Sequence, residues 1–379
     1  MRLLNPIDYF DQHRESLMKT YHNLHTLAEP SWEEAKTSEY IKGCLQRAGL
    51  TVHTFHGHYG LIAEIPGQTN QVVALRADMD ALVQEVNGKV KPNHSCGHDA
   101  HSTMVLHTAL AIAASGMSPR HTLRFIFQPA EEKGEGALRM MVEGALKDVA
   151  YLFGVHLRPE SEVPYMKASP VIVHGAALTI NGSIKGRQAH AARPHEGINV
   201  IEAAAVLVHD LKQIQLDTEV PYSIKMTKLQ TENEAANVIP ETARFAIDAR
   251  AQSNEVMERI IQCAEAAFKI AEEKTGASLY WTLDEYVPAA SLNQNAMELA
   301  ESAIAKIIGK ENVIPVCLSQ GGEDFHFYTA KNPSLQATMI GLGCGLSPGL
   351  HHPQMNFNLE ALVYGAKILT ETVWLASET

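Results

Sequence analysis

The chain has 379 residues, 45% of them hydrophobic and 20% charged. That is too long for one ordinary core and too apolar for a disordered chain, so two domains are expected. A formal net charge of -12 speaks against a nucleic-acid binder, which needs a basic face.

Five scattered cysteines do not make a disulfide framework. The first dozen residues lack the apolar core of a signal peptide, and the longest apolar run, 104–114, contains His107 and is too short to span a bilayer. A cytoplasmic protein with no membrane and no nucleic-acid partner is the expectation. The 19 histidines are the unusual count, and they make a metal or proton-transfer role worth testing.

A first helix is predicted over 6–27, with Pro6 in its first turn. Ser31 and Glu34 have the spacing of a capping box and open a helix to about 48, closed by Gly49. Strands follow over 51–55, 60–65 and 71–77. The run Val72-Val73-Ala74-Leu75 in the third suits a strand buried on both faces. Asp78 and Asp80 come at its end. Residues 100–115 read as a buried helix entered by a loop, His94-Ser95-Cys96-Gly97-His98-Asp99-Ala100-His101. A strand over 121–128 leads into Pro129-Ala130-Glu131-Glu132, then a helix over 136–146 and a strand over 151–155 ending at His156. This alternation implies a mixed, mostly parallel α/β sheet flanked by helices. Ligands bind beyond the carboxyl ends of such strands, where Asp78, Glu131, Glu132 and His156 fall.

The pattern then changes. Strands over 178–185, 222–229, 241–250 and 279–286, with helices over 199–215 and 255–274, read as a ferredoxin-like α+β insert. Its expected limits are 177–288, inserted in a first domain of 1–176 and 289–379. The chain returns through a helix over 295–308, a strand over 336–340, a glycine-rich turn over 341–349 and a helix over 359–376.

Cys96 and His98 flank Gly97, whose conformational freedom lets both side chains turn to one point. Thiolate and imidazole suit borderline-soft metals such as zinc, and Asp99 and His101 could be ligands or their partners. Glu131 and Glu132 are adjacent acids whose side chains diverge. One could hold a metal and the other handle protons. Read singly, these acids are a solvated run, His156 is a structural histidine, and His351-His352-Pro353 is a turn.

Six segments change that balance: Ala74 to Leu82, Cys96-Gly97-His98-Asp99-Ala100-His101, Phe127-Gln128-Pro129-Ala130-Glu131-Glu132, His190-Ala191-Ala192-Arg193-Pro194-His195, Gly322-Glu323-Asp324-Phe325 and Leu350-His351-His352-Pro353. In this order they strongly resemble the dinuclear metal amidohydrolases that include hippurate hydrolases, bacterial aminoacylases, N-acetyldiaminopimelate deacetylases and plant indoleacetyl-amino-acid hydrolases. These form the amidohydrolase branch of metallopeptidase family M20. The resemblance covers nearly the whole chain. It implies a zinc-peptidase-like catalytic domain, and two divalent ions per subunit (zinc, manganese, cobalt or nickel) held by Cys96, His98, Glu132, His156 and His351, with the Cys96 sulfur bridging. It implies Glu131 as the general base acting on a metal-activated water, and Asp78 as the acid supporting the ligands. His190, Asn237 and Arg250 on the insert would contact substrate, with His190 polarising the scissile carbonyl and Asn237 and Arg250 clamping a free carboxylate. The implied reaction is cleavage of the amide bond of small N-acyl amino acids; the resemblance also implies that 1–176 and 289–379 form the catalytic domain and that 177–288 is an inserted lid/dimerisation domain, through which a homodimer would form.

Some positions depart from the pattern. Arg76 stands where related peptidases carry a ligand histidine, as is usual for this branch. Val83-Gln84 replaces a proline-containing continuation after Ala81-Leu82, and the segment 88–94 is wordier than usual. His352 stands where relatives often have a small polar residue; the spacing to Pro353 favours His351. Alternatives are a non-catalytic binding protein on the same fold, a carboxypeptidase or dipeptidase, and a cysteine hydrolase using Cys96 with His98 or His156.

Overall fold

The computed structural model describes residues 5–233 and 235–379. The chain divides into two units. One comprises residues up to Val173, Ser291–Ser319 and Asp324–Thr379; the other comprises His174–Ala290 and Gln320–Glu323.

The first unit is built on a seven-stranded sheet. Its strands run in the order Thr51–Thr54, Leu61–Ile65, His121–Gln128, Thr69–Asp78, Val149–Pro159, Gln336–Leu346, Ala168–Ser169. The four strands from His121–Gln128 to Gln336–Leu346 are mutually parallel, and the outer strands pair antiparallel. The apolar run in Thr69–Asp78 explains its central place: every residue from Val72 onward is buried. Helix His98–Ser115 is the crossover between Thr69–Asp78 and His121–Gln128 and is buried almost all round. Helix Glu360–Ser377 packs beside it at Gly365, where a Cβ would lie 2.4 Å from Met104 Sδ.

Several expectations are corrected. The helix predicted over 6–27 is two, Tyr9–Gln12 and Arg14–Thr26, parted at His13, whose ring stacks on Tyr9. The Ser31/Glu34 capping box does not form; helix Ala35–Arg47 has no side-chain cap, because both residues are buried and bonded elsewhere. The buried helix begins at His98, so His98, Asp99 and His101 sit in its first turn rather than in a loop before it. The strand holding His156 extends past it to Pro159. The glycines read as a turn over 341–349 largely continue the strand Gln336–Leu346. Gly343 is needed there because a Cβ would lie 2.0 Å from the Pro164 carbonyl oxygen. A hairpin, Leu82–Val86 with Lys89–Asn93, occupies the segment between the strand-end aspartates and the cysteine. Its Asn87-Gly88 turn has φ of 53° and 76°, the left-handed pair that Asn-Gly favours.

The second unit is a four-stranded antiparallel sheet in the order Tyr222–Thr231, Thr242–Ala251, Ala176–Lys185, Ser278–Val287. With helices Val200–Lys212 and Asn254–Thr275 this is the expected ferredoxin-like arrangement. Alternate residues of Thr242–Ala251 (Ala243, Phe245, Ile247, Ala249, Ala251) point into its core. Asn199 and Ser253 cap the two helices through their side chains. Among the described residues, no helix is long and apolar enough to cross a membrane.

Candidate metal centre

The parallel strands deliver their chemistry at one end of the first unit's sheet. Thr69–Asp78 ends in Asp78, with Asp80 two residues on. His121–Gln128 leads through Ala130, at φ 53°, into the single turn Glu131–Lys133. Gly97 at φ 89° enters helix His98–Ser115, and a Cβ there would meet Leu157 Cδ1 at 2.9 Å. His351 follows strand Gln336–Leu346, also at a left-handed φ of 62°. Left-handed non-glycine residues are strained, and two of them flank or form this site.

Five side chains expected as ligands converge here. Cys96 Sγ lies 3.5 Å from His156 Nε2 and 3.3 Å from His351 Nε2. His351 Nε2 is 3.5 Å from Glu132 Oε1, and His98 Nε2 is 3.8 Å from the same oxygen. Glu131 Oε2 is 3.7 Å from His98 Nε2. Their donor atoms form overlapping groups, each within 4.8 Å: Cys96 with His98 and His156, Cys96 with Glu132 and His351, and His98 with Glu131 and Glu132. Cys96 belongs to two of them.

The donor set fits divalent ions. His98 Nε2 and Glu132 Oε1 are buried and make no hydrogen bond, an arrangement that costs free energy unless a cation takes the lone pairs. The histidines are aimed from behind. His156 Nδ1 lies 2.7 Å from the Leu157 carbonyl and His98 Nδ1 lies 3.2 Å from Asp80 Oδ1, so each turns Nε2 inward. The charges are strongly coupled. Burial, then Glu132, pushes the Cys96 thiol up. The neighbouring Cys96, then Glu132, raises half-exposed His351 to about 10. Burial opposes charge on Asp78, but His98, Arg76 and His101 outweigh it and hold its carboxyl well below the usual range.

Asp80 was recognised in the sequence only as a strand-end acid, and the structure makes it a hub. Its Oδ1 accepts the Glu131 N–H at 3.1 Å and faces His98 Nδ1; its Oδ2 accepts the Glu132 N–H at 3.1 Å and the Ser31 hydroxyl at 2.6 Å. Asp78, expected behind the ligands, is 3.9 Å from His98 Nδ1. It also pairs with Arg76 and with His101 Nδ1, the latter at 2.8 Å. His101 Nε2 accepts the Leu157 N–H at 3.0 Å, so Nδ1 carries the proton and no lone pair is left for a metal. Asp99 faces away, bonding His25 Nδ1 at 2.7 Å. Arg76, fully buried, also donates to Gln128 Oε1 at 2.9 Å and to Asp324 Oδ1 at 2.8 Å. Asp324 further accepts from Gln128 Nε2 and the Ala137 N–H, giving the Gly322-Glu323-Asp324-Phe325 motif a structural job.

Glu34 is a second residue the sequence hides. Its Oε1 accepts the Ala130 N–H at 2.8 Å and the Trp32 N–H at 3.0 Å, gripping the turn just before Glu131. Trp32 Nε1 donates to Glu135 Oε2 at 2.7 Å. The segment from Ser31 to Glu34 therefore fastens both acid-bearing loops.

The three residues expected to read substrate lie in the second unit. His190 and Asn237 are neighbours: strands Ala189–His190 and Val238–Ile239 pair, and the Ala191 N–H donates to the Asn237 carbonyl at 2.9 Å. Both are exposed. Arg250, about half exposed, bonds Asp248 through Nη2 at 2.9 Å and through Nε.

Comparison with known proteins agrees with the fold. A family model described as Peptidase family M20/M25/M40 matches residues 74–375. The chain belongs to this family and is a hydrolase. It is 30% identical over 376 residues to a "probable hydrolase" of Synechocystis sp., covering 94% of this chain and 95% of that protein. It is 29% identical over 387 residues to the N-acetylcysteine deacetylase of Bacillus subtilis, covering 96% and 97%. A solved Bacillus subtilis structure, described as a dinuclear metal binding peptidase from the M20 family, superposes with a TM-score of 0.81 at 26% identity over 97% and 99% of the two chains.

Proposed function

We propose that the protein hydrolyses the amide bond of N-acyl amino acids with two divalent ions. The observation that carries this reading is the pair of overlapping donor groups sharing Cys96, with Glu131 beside them. Cys96, His98, Glu132, His156 and His351 would hold the ions. Bound ions would supply a water of lowered pKa and a Lewis acid for the amide oxygen. Glu131 takes the water's proton on its carboxylate and delivers it to the leaving amine nitrogen. Asp80 keeps Glu131 and Glu132 in register by holding both of their N–H groups. His190 donates to the developing oxyanion. Asn237 and Arg250 hold the amino-acid carboxylate, for which Arg250 must exchange Asp248 for substrate. The names of the deacetylase and dinuclear peptidase relatives support the acyl-amino-acid substrate and the two ions. A cysteine nucleophile is the weaker reading: the Cys96 thiol is 7% exposed, and burial raises its pKa.

Glu131→Gln and Glu132→Gln test the division of labour. Glu131→Gln is expected to lose turnover by several powers of ten, on the order of what loss of an acid/base group costs, while keeping its metal. Glu132→Gln is expected to lose metal as well. Metal analysis of the purified variants decides, and equal metal loss in both refutes the assignment. Screening N-acetyl, N-benzoyl and indoleacetyl amino acids with several divalent ions then fixes the acyl group.

A further inference from the structure

His351 is the most precarious of the candidate ligands. Its side chain is 54% exposed, it lies on a turn, and its backbone is left-handed at φ 62°. A histidine in that region is held there by its surroundings. The restraints can be traced. The His351 N–H donates to the Ser95 carbonyl at 2.8 Å, and the His351 carbonyl accepts from Gln84 Nε2 at 2.7 Å. Two residues on, the Pro353 carbonyl accepts from Asn93 Nδ2 at 3.2 Å.

Gln84 ties these restraints together. Its Oε1 accepts the Ser95 hydroxyl at 2.9 Å and Asn93 Nδ2 at 3.2 Å, while its Nε2 holds the His351 carbonyl. Ser95 is covalently next to Cys96. One amide thus spans the backbone of one candidate ligand and the neighbour of another. The separation between them, 3.3 Å from His351 Nε2 to Cys96 Sγ, is bracketed by it. The hairpin register explains why Gln84 can do this. Leu82 faces Asn93 and Gln84 faces Lys91 across the ladder, so Gln84 and Asn93 lie on one face and together reach the His351 turn. The other face is spare: Val83 and Val90 are 56% and 73% exposed.

We propose that Gln84 is a positioning residue that fixes the His351 imidazole against Cys96 and Glu132, and so sets affinity for the ion His351 holds. This rests on the reading of His351 as a metal ligand. The side-chain chemistry is demanding, because the position needs a donor toward a carbonyl and an acceptor toward a hydroxyl and an amide. Glutamate keeps the acceptor and sets a carboxylate against the His351 carbonyl. Methionine matches the shape and loses both functions.

The test uses the full chain, freed of metal and titrated with zinc or cobalt, with bound ion counted by equilibrium dialysis. The thiolate-to-cobalt absorption provides a second signal. Gln84→Met and Gln84→Glu are expected to bind one ion as the wild type does and the other about 10- to 100-fold more weakly, the usual effect of losing a residue behind a ligand. Val90→Ala, on the spare face, is expected to change nothing. The decisive comparison is a double-mutant cycle. His351→Ala alone weakens one ion, and adding Gln84→Met in that background weakens it no further, because the amide acts through His351. Wild-type affinity for both ions in Gln84→Met, with His351→Ala impaired, refutes the proposal alone. A full additional loss on adding Gln84→Met to His351→Ala also refutes it, by showing that Gln84 acts elsewhere. Unchanged affinity in His351→Ala overturns the metal reading of His351, and the proposal with it.

Discussion

Replacing Asp80 by asparagine is the sharpest probe of how the metal centre is built. The Asp80 carboxylate is 1% exposed and serves four donors, two per oxygen. Asparagine keeps one oxygen and places an NH2 at the other. If the NH2 takes the Oδ2 side, Ser31 can turn its hydroxyl to accept, but the Glu132 N–H is left facing a donor. If it takes the Oδ1 side, the Glu131 N–H is stranded. His98 can then accept only by moving its proton to Nε2, the nitrogen aimed at the candidate ion. Either way one buried N–H loses its partner, which costs about 1–3 kcal/mol, and the surviving bonds lose charge assistance worth roughly 1 kcal/mol more. Asp80→Asn is therefore expected to be about 2–4 kcal/mol less stable than the wild type without metal, and Ser31→Ala about 1 kcal/mol less stable. Urea unfolding followed by tryptophan emission in a Trp281→Phe background reads this, since the remaining Trp32 and Trp374 lie in the first unit. Asp80→Asn should also bind metal more weakly. A variant within about 0.5 kcal/mol of the wild type, with unchanged metal affinity, would show that the hub is not a support.

Three further outcomes are expected. Burial raises the Glu34 carboxyl to about 7, above its ordinary 4.5, so the folded state keeps a proton that the unfolded chain releases. That contribution is full below pH 4.5 and lost as pH rises to about 7; the stability of the wild type relative to Glu34→Gln should fall by about 3 kcal/mol across that window, and an unchanged difference refutes it. Burial lowers His107 to about 4, so its contribution is full above pH 6.5 and lost as pH falls toward 4; His107→Leu should remove about 3 kcal/mol of that acid-side slope in matched denaturant curves. Arg250→Ala should lower kcat/KM on a free-acid substrate by an amount equivalent to about 2–4 kcal/mol and barely affect the matching carboxamide; equal losses on both would make Arg250 structural.

The sheet was legible because parallel strands buried on both faces must be continuous apolar runs, as in Val72 to Leu75, and because strand ends in such a sheet collect ligands. Cys96-Gly97-His98 was legible from its spacing. What the sequence concealed is tertiary. Ser31 and Glu34 match a capping box letter for letter, yet Asp80 and the Ala130 N–H claim them, and nothing local announces either partner. Asp78 and Asp80 are equivalent in the sequence, and only the placement of Glu131, Glu132 and His98 separates them. The Asn87-Gly88 turn is different, since its signal was there to be read. Arg250 shows the reverse case: its register neighbour Asp248, on the same face of one strand, is the partner it takes.

The tetrapeptide Gln320–Glu323 limits how far the two units can be treated as interchangeable modules. It belongs to the second unit although both of its flanks belong to the first, so the polypeptide passes between units four times rather than the two of a simple insertion. Gly322 is fitted to its place, since a Cβ there would come within 2.4 Å of Val287. On the next residue but one, Asp324 takes up the buried charge of Arg76. Excising 174–290 would strip the tetrapeptide of its packing while leaving it tethered directly to that charge pair. Recombination among relatives would then have to exchange both segments together, so the second unit should be inherited with its tetrapeptide as a matched pair.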